Sequence, residues 1–229
     1  MIGLKMPDNC PAEGESSAPN EQAAHSSPPE AVQEAARLIR ERRTIRSFAK
    51  RPVSGQALAG LLKLAARTVT LEHDAAALRF IVFASEEGKR KAGTAIMAAY
   101  SGQGLYRWMP GKLVQAMAER VAKIPAMVAV IQRELADDAA NDRQLAAVSA
   151  IVHSFTLLAW ECKLGLVWNT DPVVEHEALT SGIGLAPDER LVCLLYIGEY
   201  DKTPKGKRRT PAADKWTALG TLRGKEEDA

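Results

Sequence analysis

Cysteine is scarce in this sequence. The 229 residues hold three, Cys10, Cys162 and Cys193, widely spaced and without a CxxC pair, and only four histidines accompany them. A disulfide framework and a zinc site are both unsupported by that count, so no metal is expected, and buried or tail thiols in a reducing cytoplasm fit. Charge of one sign is lacking too. Thirty Lys and Arg stand against 28 Asp and Glu, so the balance favours neither nucleic acid nor an anionic membrane surface. No GxGxxG occurs, which removes the glycine-rich dinucleotide fingerprint. The longest apolar stretch, Leu145 to Trp160, is interrupted by Ser149, His153, Ser154 and Thr156 and closed by Glu161 and Lys163. It falls short of the roughly 20 residues that a membrane span requires.

What is present is enough for one core, at 46% hydrophobic and 25% charged residues. Residues 1–28 are rich in Pro, Ser, Glu and Ala and poor in large apolar side chains. They read as a disordered leader that cannot offset its ordering entropy, with no apolar segment of signal-peptide length. Residues 223–229 read as a frayed tail. The working domain is therefore about 29–222.

Along that domain the spacing predicts a mixed order of elements. A helix begins at Pro29 with Ala31, Val32, Ala35, Leu38 and Ile39 on one face. A second follows Ser54, and a third opens at Ser85 and reaches about Tyr100. A fourth covers about Gly111 to Lys123, and a long fifth runs from about Ala140 to Lys163, ended by Gly165. Strands are predicted at Leu78 to Phe83, Ala126 to Ile131, Leu166 to Trp168 and Leu191 to Ile197, with a brief helix after Pro172. The second and fourth strands are apolar throughout, the pattern of burial on both faces. Four strands among helices argue for an α+β or α/β sandwich. The long helix is apolar nearly all round, so it is either the central helix of the core or partly buried against a second subunit.

Three segments carry candidate chemistry. Arg42-Arg43-Thr44-Ile45-Arg46-Ser47-Phe48 puts three guanidiniums within five residues, able to grip a phosphate or polarised ring oxygens bidentately. Gly165 to Thr170 ends a strand with exposed backbone donors. Lys205 to Pro211 is a basic run after the last strand, which alone suits a solvated charged face as well as a binding site.

Together these segments resemble the FMN-dependent nitroreductase family. Arg42-Arg43-Thr44-x-Arg46-x-Phe48 is similar to its opening RR[ST]xRxF, followed as there by Arg51-Pro52-Val53. Leu78 to Val82 resembles its WRFIVV strand, and Ala146 to Leu166 its central helix with an LGLG-like close. Trp168-x-Thr170 looks like a W-x-[ST] of small bacterial members. Leu194 to Gly198 and Lys207-x-Arg209-x-Pro211 look like the closing LLYLG and KxRxP. The resemblance spans about Glu34 to Lys215.

The resemblance implies an α+β fold with a central, mostly antiparallel sheet flanked by helices, and a homodimer whose long helix lies at the interface. It implies FMN as cofactor, NAD(P)H as co-substrate, and a nitroaromatic, quinone or similar small acceptor reduced in a two-step, ping-pong cycle. Arg42, Thr44 and Arg46 would contact the flavin, with Arg43 in the same motif facing solvent or an acid. Trp168, Asn169 and Thr170 would line the flavin and offer backbone N–H groups, and Lys207 and Arg209 would hold its phosphate. The redox chemistry is the cofactor's, so no catalytic side chain is expected.

One segment departs from the family. Where a polar loop and Pro-Trp are usual, this chain reads Val69-Thr70-Leu71-Glu72-His73-Asp74-Ala75-Ala76-Ala77-Leu78. His73 is the polar candidate there, or a surface histidine. His153, on the long helix, suits a buried, hydrogen-bonded core histidine or a site residue. Tyr100, Tyr106, Trp108 and Met109 suit a stacking lid or ordinary packing. The altered loop keeps open a family member that binds FMN or another flat ligand without turnover. A flavin-fragmenting enzyme of the same superfamily and an anion-binding module built on the Lys202 to Arg209 cations are the remaining readings; near-neutral charge opposes the last.

Overall fold

The computed structural model describes residues 28–69, 77–102 and 110–206. The leader, the tail, His73, Tyr106, Trp108, Met109, Lys207 and Arg209 all lie outside the described residues. By backbone proximity the chain falls into two units, Met1–Arg37 and Leu38–Ala229. In the first, the described part is the start of helix α1 (Glu30–Glu41), where the Pro29 carbonyl accepts from Val32 N–H at 2.9 Å. The fold below belongs to the second.

Each further helix starts where its capping chemistry allows. For α2 (Gly55–Ala66), Ser54 caps the first turn by accepting from Ala57 N–H at 3.3 Å. Ser85 does the same for α3 (Glu86–Gly102), accepting from Gly88 N–H at 3.1 Å. Helix α4 (Gly111–Ala122) follows Pro110. Asp137 caps α5 (Asp138–Glu161), accepting from Ala139 N–H at 3.1 Å, and His176 caps α6 (Glu177–Gly182) through its ring Nδ1. A short 3₁₀ turn, Pro172–Glu175, sits just before α6.

The strands are β1 (Leu78–Phe83), β2 (Ala126–Arg133), β3 (Leu164–Asn169) and β4 (Glu189–Glu199). They form one sheet in the order β1-β2-β4-β3, with every neighbouring pair antiparallel. The fold is thus α+β, with the helices gathered on both faces of an antiparallel sheet. The apolar runs of β2 and the middle of β4 arise from this double covering, with no parallel strands involved: Ala126 to Ile131 are all buried. Alternation sends Val128, Val130, Cys193, Leu195 and Ile197 toward α2 and α5, and Met127, Ala129, Ile131 and Leu194 toward α3 and α6.

One expectation is corrected. Helix α5 stops at Glu161, and the residue in left-handed conformation is Lys163 (φ 59°), not Gly165. Gly165 lies inside β3, where Ile45 packs over its α-carbon; an added Cβ would collide with the Ile45 side chain and come within 2.9 Å of Tyr200 Cδ1. Close backbone approach, not helix termination, requires the glycine there. Within one chain, α5 is covered along one side. Val148, Ile151, Val152, Phe155, Thr156, Ala159 and Trp160 make one buried stripe, while Leu145, Ala146, Ser149 and His153 are exposed within the chain. Tyr100 belongs to α3, half-buried against the α3–α6 core.

Candidate functional site

β3 is an edge strand, and the segment after α1 covers it. Thr44 forms a parallel bridge to Leu166, and Ile45 N–H donates to the Leu166 carbonyl at 3.2 Å. In an extended segment, alternate side chains share a face. Ile45 therefore points inward, 2% exposed, onto Gly165, whereas Arg42, Thr44 and Arg46 share the other side. That alternation sorts the three arginines. Arg43 turns back on the end of α1, donating to the Arg40 carbonyl and to the Arg42 carbonyl at 3.0 Å, and lies beside Gly206. It satisfies helix-terminal acceptors.

Between this segment, β3 and α5 lies a cavity of about 310 Å³, lined by Arg42, Thr44, Arg46, His153, Thr156, Leu166, Val167 and Trp168. Among the described residues, the ionisable groups of the lining are basic: two guanidiniums and an imidazole. Leu166, Val167 and Trp168 of β3 complete the lining, and Trp168 is the aromatic side chain among them. The space is at the small end of the roughly 300–1,000 Å³ usual for ligand pockets. His153 is exposed on α5 and belongs to this lining, which corrects the reading of it as a buried core histidine.

The end of β3 is held from both faces of the sheet. On the α5 face, Trp168 Nε1–H donates to Thr156 Oγ1 at 3.1 Å, and the Thr156 hydroxyl donates to the Val152 carbonyl at 2.7 Å. On the other face, Asn169 Nδ2 donates to the Tyr196 hydroxyl at 2.9 Å, and Asn169 Oδ1 accepts from Asp171 N–H at 3.1 Å. Burial pushes the Tyr196 phenol up to about 12, the Asn169 bond opposing the shift. Asn169 is buried and outside the cavity lining, and Thr170 is exposed and also outside it.

Of the sequence-derived candidates, the structure brings Arg42, Thr44, Arg46 and Trp168 together. It sends Arg43 and Asn169 elsewhere. Thr156 was missed, and its signal was present: a hydroxyl on the buried stripe of a helix, where an apolar side chain would otherwise stand. Among the described residues no group of three or more His, Cys, Asp or Glu side chains is arranged to hold a metal ion, and no helix is long and apolar enough to cross a membrane.

The comparisons with known proteins agree with this architecture. The sequence pattern of the Nitroreductase family matches residues 39–199. A curated relative from Bacillus subtilis (strain 168), "Putative NAD(P)H nitroreductase YfhC", is 29% identical over 182 residues, which is 80% of this chain and 92% of that protein. The crystal structure of a nitroreductase-like family protein from Bacillus cereus superimposes with a TM-score of 0.72 at 31% identity, covering 80% of this chain and 95% of the other. The FMN and NADPH-dependent nitroreductase NfnB from "sphigopyxis sp. strain HMH" shares the fold at a TM-score of 0.65 and 17% identity, covering 82% and 99%. The chain belongs to the nitroreductase family and is an oxidoreductase.

Proposed function

We propose that this protein is an FMN-dependent oxidoreductase that takes a hydride from NAD(P)H and delivers it to a small, flat acceptor such as a nitroaromatic or quinone. The observation that carries the reading is the cavity beside β3, whose lining combines the guanidiniums of Arg42 and Arg46 with the aromatic ring of Trp168. That pairing suits a ligand with a flat conjugated ring and an anionic or oxygen-rich side, and FMN is such a ligand. Thr44 adds a hydroxyl donor between the guanidiniums. Lys207 and Arg209 are proposed as the further phosphate ligands and His73 as a polar contact, from their places in the sequence.

Bound FMN would supply the two-electron chemistry. The chain's own residues then have three tasks. Arg42 and Arg46 hold oxyanions by charge-assisted hydrogen bonds and favour negative charge developing on the ring edge nearest them. The Trp168 ring would exclude water from one face. The shared cleft admits donor and acceptor in turn, which fits two successive half-reactions. A homodimer completes the reading: α5 buries a single stripe within one chain and leaves Leu145, 36% exposed, and Ala146 uncovered, the surface a second copy would bury. A reducing, cytoplasmic setting accords with the few, unpaired thiols.

The test is the visible spectrum of purified protein with FMN, before and after anaerobic addition of NADH or NADPH. A yellow protein that bleaches supports turnover. A yellow protein that does not bleach supports the alternative, a binding protein without turnover, which the altered 69–78 segment favours. A protein that takes up no FMN refutes the assignment.

A further inference from the structure

Trp168 is 39% exposed and forms part of the cavity wall, yet its one polar group does not serve the cavity. The indole N–H is held by Thr156 Oγ1, a side chain only 4% exposed on α5. An indole nitrogen can donate but not accept, whereas a hydroxyl has one proton and two lone pairs. Thr156 commits its proton to the Val152 carbonyl at 2.7 Å and so presents a lone pair to Trp168 at 3.1 Å. The hydroxyl lets Thr156 donate to its own helix and accept across the gap; Val, of the same shape, does neither.

We propose that Thr156 is a positioning residue that fixes the Trp168 indole, so that this wall offers a flat aromatic surface with no hydrogen-bond donor. With its N–H consumed, Trp168 presents only ring carbons to a ligand. It stacks on a conjugated ring and gives no hydrogen bond to a polar, non-planar one. The same end of β3 is also held on its opposite face: Asn169, the next residue, is tied to Tyr196 and to Asp171 N–H, so the backbone that carries Trp168 is fixed there too. Selectivity for flat rings thus comes from a hydroxyl on a neighbouring helix. The functional half of this inference rests on the cavity being the FMN site; the structural half does not.

The experiment uses full-length protein, with Thr156→Val, Thr156→Ser and Trp168→Phe. The chain holds four tryptophans, so the Trp168 indole resonance is assigned as the one lost in Trp168→Phe. In wild-type protein its N–H is expected to exchange with D₂O about fivefold or more slowly than in Thr156→Val, with Thr156→Ser within about twofold of wild type, as loss and retention of one hydrogen bond require. The Kd for FMN, the probe ligand, should rise about fivefold in Thr156→Val and recover in Thr156→Ser. Equal exchange in wild type and Thr156→Val overturns the proposal even if FMN binds. Slow exchange with no FMN binding to wild type sustains the Thr156–Trp168 pairing and removes the flavin reading instead. Should Thr156→Val not fold, a Trp168 N–H in wild-type protein that exchanges as fast as an exposed indole overturns the proposal, and a protected one supports it.

Discussion

The two faces of the sheet are built from the same alternating strands and end differently. Toward α3 and α6 the described residues form a filled apolar core. Phe83, Ile96, Met127, Leu179 and Leu194 fill it, and its polar pair, Tyr196 and Asn169, is satisfied internally. Toward α2 and α5 the core is just as apolar in the middle, around Phe155 and Leu195, but at the β3 edge it gives way to Thr156, Trp168 and the Arg42 to Arg46 segment around a cavity. Polar groups on the closed face are consumed by one another. On the open face, Thr156 and the Trp168 N–H are paired with each other, and Arg42 and Arg46 of the covering segment line the cavity. A site forms where a strand edge is covered by an extended segment and not by a helix.

Four substitutions probe that difference. The largest effect is expected from Phe155→Ala, which empties the centre of the open face and should cost about 3–5 kcal/mol in chemical denaturation. Its side chain is fully buried, so a loss below that range would mean the α5 face is softer than its apolar packing implies. Tyr196→Phe removes the acceptor of a buried amide donor on the closed face. It should cost about 1–3 kcal/mol in the same measurement, and an unchanged midpoint would show that the pair contributes nothing to closing that face. Arg46→Gln should invert the pattern, with stability within about 0.5 kcal/mol of wild type and FMN affinity lowered roughly tenfold, the scale of a charge-assisted contact. Unaltered affinity by flavin titration would remove Arg46 from the site.

The smallest effect concerns acid. Glu189, which begins β4, has its carboxyl held below the usual 4.5 chiefly by the Arg79 guanidinium beside it, and also by Ala186 N–H at 2.8 Å. A carboxylate with a depressed folded-state pKa stabilises the protein above its unfolded value of 4.5, and that contribution is lost as pH falls through the folded value. The pair is partly exposed, so its worth is below about 1 kcal/mol. Arg79→Met should therefore lower stability slightly at pH 7 and flatten the decline below pH 4.5. An acid limb identical to wild type would place the acid sensitivity elsewhere.

Much of the fold was readable in one dimension because it rests on local rules. Ser54 and Ser85 mark helix starts by supplying an acceptor to otherwise unpaired N–H groups, and the apolar runs of β2 and β4 mark strands covered on both faces. The Arg42 to Phe48 motif was visible as a cluster of donors. Which of its members face a ligand was not, because that depends on the segment being extended along β3; from that point period 2 assigns Arg42, Thr44 and Arg46 to one side and Arg43 and Ile45 to the other.

The residues that close the site were hidden for a related reason. Gly165 looked like a helix stop until Ile45, 120 positions earlier in sequence, was found packed over its α-carbon. Thr156 looked like an interruption in an apolar helix until Trp168 lay within reach of its oxygen. Where the Asn169 side chain points was not legible either: the pleat of β3 turns it toward Tyr196. Helix starts, strand positions and the family follow from neighbours in sequence and could be read there. The direction each polar side chain faces, and the partner that consumes it, depend on contacts between distant segments, and only the tertiary structure brings those together.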